Sequence, residues 1–203
     1  MSGTNSETLR SYEGTVEKYI AGTSPDVAGA AKDWIDAALL SLPRDARVIE
    51  LGSAFGRDAA YIASKGFAIE CTDAVPGFVR ELQARGFSAR RFNALTDELD
   101  ERYDLIFANA MLLHFDRDEF AFVLKKLGRA LKSDGVFAFS LKRGQGEGWS
   151  SEKIGAPRFF CYWERENLET RLREAGFAAW AIEAAHTGRA HADWLFVIAR
   201  APR

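Results

Sequence analysis

The residues that most constrain this chain are Arg47 to Asp58. Val48, Ile49 and Leu51 form a short apolar run, Gly52 and Gly56 bracket a turn, and a helix pattern starts directly after it. An apolar strand that turns through glycine into a helix brings backbone close to whatever lies above the strand end. A second apolar stretch ends at Asp73, about one strand–helix unit further on. Glycine turn plus acidic strand end is how α/β folds hold a nucleoside: backbone surrounds the ligand, and the carboxylate takes the ribose.

The rest of the chain supports that start. Strands are predicted over 47–51, 67–72, a weaker 87–92, 103–108 and 136–141. Helices are predicted over 57–65, over 76–85 with Pro76 at the first position, and from an Asp116 or Asp118 cap through Leu131. Ser133, Asp134 and Gly135 read as a turn. A helix over 164–175 and strands over 177–183 and 194–199, joined by a polar turn at Thr187, Gly188 and Arg189, complete the chain. Alternation of this kind implies a parallel sheet with helices on both faces, and the last pair suits an antiparallel hairpin. Before the first strand, a helix is predicted over 11–20 after a ragged end at 1–8. Ser24 and Pro25 are predicted to start a second helix that runs to Leu39. The expected organisation is a single domain over 1–203, with a helical cap at 1–43 and an α/β core at 46–200. The segment 143–158 reads as a long Gly-rich irregular loop and a candidate lid.

Composition narrows the function. The chain has 203 residues, 47% of them hydrophobic, enough to bury a full core. Lys and Arg number 27 against 29 Asp and Glu, without the basic excess of a nucleic-acid or anionic-membrane surface. The polar N-terminus lacks the apolar core of a signal peptide, and the most apolar stretch, 103–115, is too short to span a membrane. A soluble, cytoplasmic protein is expected. Cys71 and Cys161 read as small buried hydrophobes, and no residue spacing resembles a metal site.

Five motifs in order extend the nucleoside reading. Glu50 through Gly56, the acidic strand end at Asp73, Phe92-Asn93-Ala94 after the third strand, 103–109 as the fourth strand, and Leu131 to Val136 as helix end, turn and fifth strand together resemble the class I S-adenosylmethionine (SAM)-dependent methyltransferases, of the small, insertion-poor type. The resemblance implies a Rossmann-like, seven-stranded, mostly parallel sheet with an antiparallel C-terminal hairpin. It also implies SAM as cofactor, S-adenosylhomocysteine (SAH) as product, and no metal. By resemblance Asp73, with Ala74 beside it, meets the ribose; Asn93 and Ala94 meet the adenine. Gly52, Ser53, Ala54 and Gly56 form the turn, and Glu50, Asn109 and Ala110 lie near the methionine portion. The chain departs from the family's pattern at Ala54, where a glycine is usual, and at Asn93, where an Asp is common. The alanine is tolerable where the backbone needs no positive φ.

For the acceptor, His114 is the candidate general base. Tyr12, Tyr19, His114, Arg143, Trp149, Arg158 and Tyr162 are the candidate substrate-binding residues. Arg143 and Arg158 suit a carboxylate or phosphate, whereas Glu147 and Trp149 suit an amine. The expected activity is methyl transfer to an O, N or S atom of a small molecule by a monomer or homodimer, without nucleic-acid or membrane partners. The alternatives are a tRNA- or protein-modifying methyltransferase and a non-catalytic nucleoside-binding protein. The 52–56 turn does not fit the Gly-x-Gly-x-x-Gly pattern of NAD binding.

Overall fold

The computed structural model describes residues 3–186 and 193–202. Among these residues, nine strands and seven α-helices follow one another in the order α1 (Gly3–Glu13), α2 (Val16–Ala21), α3 (Gly29–Leu39), β1 (Val48–Leu51), α4 (Arg57–Ser64), β2 (Ile69–Asp73), α5 (Pro76–Ala84), β3 (Ala89–Arg91), β4 (Tyr103–Ala108), α6 (Arg117–Arg129), β5 (Leu131–Lys142), β6 (Glu147–Ser150), β7 (Arg158–Cys161), α7 (Arg165–Glu174), β8 (Phe177–His186) and β9 (Asp193–Pro202). The main sheet has seven strands in the order β3-β2-β1-β4-β5-β9-β8. The strands from β3 to β5 in that order pair in parallel, and β9 runs antiparallel to both β5 and β8. The order reverses between β1 and β4, which puts a crevice at their carboxyl ends.

Strand pleating divides the core. Leu105 and Phe107 join Val136, Ala138 and α3 residues Trp34, Ile35 and Ala38 on one face. Their neighbours Ile106, Ala108, Phe137 and Phe139 face α6 and α7 on the other. This two-sided burial explains the near-continuous apolar runs of β4 and β5. Trp34 lies 4.7 Å from Phe107, and its indole N–H donates to the Val197 carbonyl at 3.0 Å, which locks α3 to the sheet. Asp116 caps α6 with a reciprocal capping box through Glu119.

Several elements differ from the sequence reading. The N-terminal helix starts at Gly3 rather than Ser11, because its buried side chains, Asn5 and Thr8, are polar and carry no hydropathy signal. Ser24 and Pro25 lie outside any helix; α3 starts at Gly29 after an extended Ala28 with no side-chain cap. The 143–158 segment is not structureless: β6 and β7 form an antiparallel hairpin within its reach. The 133–135 turn is absorbed into β5 as an irregularity, with Asp134 at φ 63° and a register shift between the pairings of Tyr103 and Leu105. The tight space explains Gly135, where a Cβ would come within 2.9 Å of the Lys132 carbonyl. The turn expected at 187–189 lies outside the described residues. Both cysteines are buried and free.

Candidate active site

The glycine turn closes on the end of β2. The Gly52 and Ser53 amides both donate to the Thr72 carbonyl, at 2.8 and 2.9 Å, and Thr72 Oγ1 returns a bond to the Glu50 carbonyl at 2.8 Å. Gly52 has φ 72°, and a Cβ there would lie 2.7 Å from Met111 Cγ. Gly56 has φ 84° and its Cβ would lie 2.6 Å from the Phe87 ring. Both glycines are therefore required by conformation and by space. Ala54 also adopts a positive φ, 50°, so the condition under which alanine is harmless is not met. A single left-handed alanine costs about 1–2 kcal/mol, and the Ala54 amide offsets part of it by donating to Asp73 Oδ2 at 3.0 Å.

A cleft of about 700 Å³, counting space open to solvent, lies above these strand ends. Gly52, Ala54, Asp73, Ala74, Asn93, Ala94, Asn109 and Ala110 line it, as do Tyr12, Tyr19 and His114. Three expected cofactor residues stand behind its floor instead. Ser53 is buried and bonded to the β2 backbone, Gly56 lies against Phe87, and Glu50 is buried with Oε2 unpartnered. Burial, then the nearby Asp58, raises the Glu50 carboxyl to about 8. Asp73 accepts from the Val75 amide at 2.9 Å through its other oxygen. Burial raises Asp73 to about 6 against the pull of the Val75, Ala54 and Ala74 amides. Each of its oxygens retains acceptor capacity.

Asn109 is held tightly: its amide nitrogen donates to Asp58 Oδ2 at 2.7 Å and its oxygen accepts from Ser140 Oγ at 2.6 Å. Its side chain therefore fixes the wall, while the next residue, Ala110, turns at φ 56° with its amide bonded to Ser140 Oγ. Asn93 accepts from the Leu95 amide and donates to Asn5 at 3.2 Å, which ties α1 to the adenine end proposed from the sequence.

The other end of the cleft is an array of four groups. His114 Nδ1 lies 2.6 Å from the Phe159 carbonyl, so that nitrogen carries the proton. Nε2 then accepts from the Tyr12 hydroxyl at 2.9 Å. Arg158 Nη1 donates to the same hydroxyl at 3.2 Å. Burial lowers His114 to about 3, and the positive charges of Arg158 and Lys142 push the same way. The imidazole is thus neutral and a weak base. Tyr12 and Tyr19 meet edge to face at 5.6 Å, and both pack on Phe78.

The remaining substrate candidates are not brought to the cleft. Arg143 is exposed and pairs with Glu164 at 3.4 Å. Trp149 is 46% exposed and packs on Phe159. Tyr162 stacks on Phe160. The β6–β7 pairing accounts for this: it turns the glycine-rich segment into a hairpin that presents Arg158 and Phe159, not its tip, to the rest of the site. Sequence reasoning missed Asn5, Thr8 and Leu9 as lining residues. With Tyr12 they fall at i, i+3, i+4 and i+7, a helical face concealed by its two polar members. Among the described residues no group of three or more His, Cys, Asp or Glu could hold a metal, and no helix is long and apolar enough to cross a membrane.

Residues 25–182 match the family model of the methyltransferase domain. No curated protein matches the chain. Among solved structures, the fold is similar to Burkholderia thailandensis 1,6-didemethyltoxoflavin-N1-methyltransferase with bound 1,6-didemethyltoxoflavin and SAH, at 20% identity, TM-score 0.73, covering 100% of this chain and 92% of that one. It is also similar to DhpI in a DhpI-SAM-HEP complex, at 17% identity, TM-score 0.74, covering 98% and 99%. A third is the N-methyltransferase NodS of Bradyrhizobium japonicum with SAH, at 18% identity, TM-score 0.66, covering 84% and 85%. The strand order with its antiparallel edge, the Gly52 turn facing Asp73 and the family match over most of the chain agree: this chain belongs to the methyltransferase domain family and is a class I SAM-dependent methyltransferase.

Proposed function

We propose that the enzyme methylates an O, N or S atom of a small molecule, mainly by holding donor and acceptor in line. One observation carries this reading. A single cleft joins the strand-end set around Asp73 to an aromatic wall of Tyr12, Tyr19 and Phe115. The Burkholderia thailandensis enzyme of similar fold was crystallised with a small acceptor, which supports the same class here. The near-balanced charge weighs against a tRNA acceptor.

The donor supplies an activated methyl group on a sulfonium, so the acceptor's lone pair forms the new bond as the bond to sulfur breaks. The protein's part is placement. Asp73 suits the ribose hydroxyls, Asn93 and Ala94 the adenine, and the backbone at Asn109 and Ala110 the methionine portion, with Glu50 behind them. Alignment can lower the barrier by roughly 7–11 kcal/mol, whereas a general base adds ~10²–10⁴-fold. His114, neutral and bonded on both nitrogens, serves in this reading to orient Tyr12 toward the acceptor. Calorimetry with SAM, SAH and NAD, followed by a screen of acceptor metabolites for SAH release, tests the proposal. Failure to bind either sulfur nucleoside sinks it. Binding of SAH with no turnover on any metabolite favours the non-catalytic alternative.

A further inference from the structure

Arg158 is only 5% exposed, yet among the described residues no carboxylate pairs with it. Its Nε–H has no hydrogen-bond partner. Its guanidinium donates to the Tyr12 hydroxyl and lies 5.5 Å from the Tyr12 ring centroid and 5.0 Å from that of Phe160. Lys142 brings a second cation over Phe160, at 4.4 Å, also without an ion pair among the described residues. Burying a cation without a counter-charge is strongly unfavourable; Arg158 is such a group, and the half-buried Lys142 adds positive charge at the same Phe160 ring. The cost is concentrated beside the cleft wall, because the group that Arg158 touches, Tyr12, lines that cleft with His114.

The neutral groups at this end cannot supply the missing charge. Tyr12 donates its only proton to His114, and His114 donates its own to Phe159. Asp73 lines the same cleft, but both its oxygens are engaged with backbone amides and it carries no ion pair to Arg158. Arg158 is thus left without a carboxylate in contact, and an anion entering the cleft from outside would supply one.

We propose that the methyl acceptor is an organic acid whose carboxylate or phosph(on)ate oxyanion is held at the Tyr12–His114 end of the cleft by the charge of Arg158, with Lys142 in support. The inference rests on the methyltransferase reading of the cleft. It selects between the two acceptor chemistries that the 143–158 segment suggested: Glu147 and Trp149 lie on β6 and do not line the cleft, whereas Arg158, at the start of β7, stands behind the cleft wall against Tyr12. Guanidinium and oxyanion match in geometry as well as charge. The aromatic groups around them suit a flat or unsaturated body.

The test uses the full chain saturated with SAH and three probes built on one phenyl ring: benzoate, its near-isosteric neutral amide benzamide, and phenylphosphonate. A charge-assisted contact predicts that at least one acid binds about tenfold or more tightly than the amide, and the better acid tells carboxylate from phosphonate. In Arg158→Gln the acid-to-amide ratio falls to within about twofold, and Arg158→Lys restores part of it. A merely structural arginine would weaken all three probes together and leave the ratio unchanged. That result, equal binding of benzamide in the wild type, or binding of neither acid overturns the proposal. The wild-type ratio needs no variant, so a misfolded Arg158→Gln does not decide the outcome. SAH binding itself is measured first. Its absence is a failure of the methyltransferase reading, and the ratio is then read on the free protein.

Discussion

At the Asp73 end of the cleft, the bonds that close the glycine turn on β2 join residues close in sequence: Ala54 to Asp73, 19 apart, and Thr72 to Glu50, 22 apart. At the Tyr12 end they join residues 102, 146 and 151 apart, through Tyr12–His114, Arg158–Tyr12 and Phe159–Thr8. The first end is backbone held by two adjacent strands and a glycine turn. The second is side chains gathered from α1, the 3-10 turn at Leu112–His114 and β7. A ligand common to a whole family can be held by local backbone geometry. A ligand particular to one member is held by groups that the fold assembles from far apart.

The sharpest way to break this division is Asp73→Ala. Loss of two charge-assisted bonds, each worth about 1.5–3 kcal/mol, predicts a loss of at least about a hundredfold in SAH affinity by calorimetry. Unchanged affinity in a folded variant would falsify the ribose assignment. The same residue sets a pH dependence. Ribose hydroxyls favour the carboxylate form, and Asp73 ionises only near pH 6; wild-type SAH affinity is therefore expected to fall as pH drops below about 6.

The Tyr12 end has the opposite electrostatics. His114 has its folded pKa lowered from 6.5 to about 3, so below pH 6.5 the unfolded chain binds a proton that the folded chain refuses. Its contribution to stability is present above pH 6.5 and is lost as pH falls toward 3. Urea unfolding of wild type against His114→Asn should show the wild type losing about 2 kcal/mol relative to the variant between pH 8 and pH 5. No change in that difference would mean that the imidazole is not held neutral. Tyr12→Phe removes the bond to His114 and the one from Arg158. It is expected to lower kcat/KM about fivefold, or about 1 kcal/mol, with SAH affinity within about twofold. Loss of SAH affinity to the same degree would erase the distinction between the two ends. The smallest effect belongs to Ala54→Gly, which relieves a left-handed alanine. It should raise stability by less than about 1 kcal/mol in urea unfolding.

The same contrast explains which parts of the molecule are legible in its sequence. The strand–turn–helix at 47–58, Asp73 and the order of the core elements follow from local periodicity and glycine placement, and the sheet carries them as expected. Ala54 stands out as a departure from the family's pattern, but its positive φ depends on the pairing of the turn with β2 and Asp73, which no local pattern encodes. Among the seven acceptor candidates, Tyr12, Tyr19 and His114 reach the cleft and Arg158 stands directly behind it. Arg143, Trp149 and Tyr162 do not, because a glycine-rich segment that reads as a loop folds into the β6–β7 hairpin. Asn5 and Thr8 are hidden for a related reason: polar residues buried by hydrogen bonding leave no trace in a hydropathy pattern.

Those two residues have a thermal consequence. The buried positions of α1 are Asn5 and Thr8, and the helix is fastened by Asn5 to Asn93, Thr8 to Phe159, and the Glu13 carboxylate to the Gly77 amide and Arg80. Little apolar surface is sealed by these contacts, so their strength varies less with temperature than that of the sheet's hydrophobic core. Cooling is therefore expected to weaken the core relative to these polar ties. Local opening of α1 is expected ahead of the sheet, whose central strands are buried on both faces.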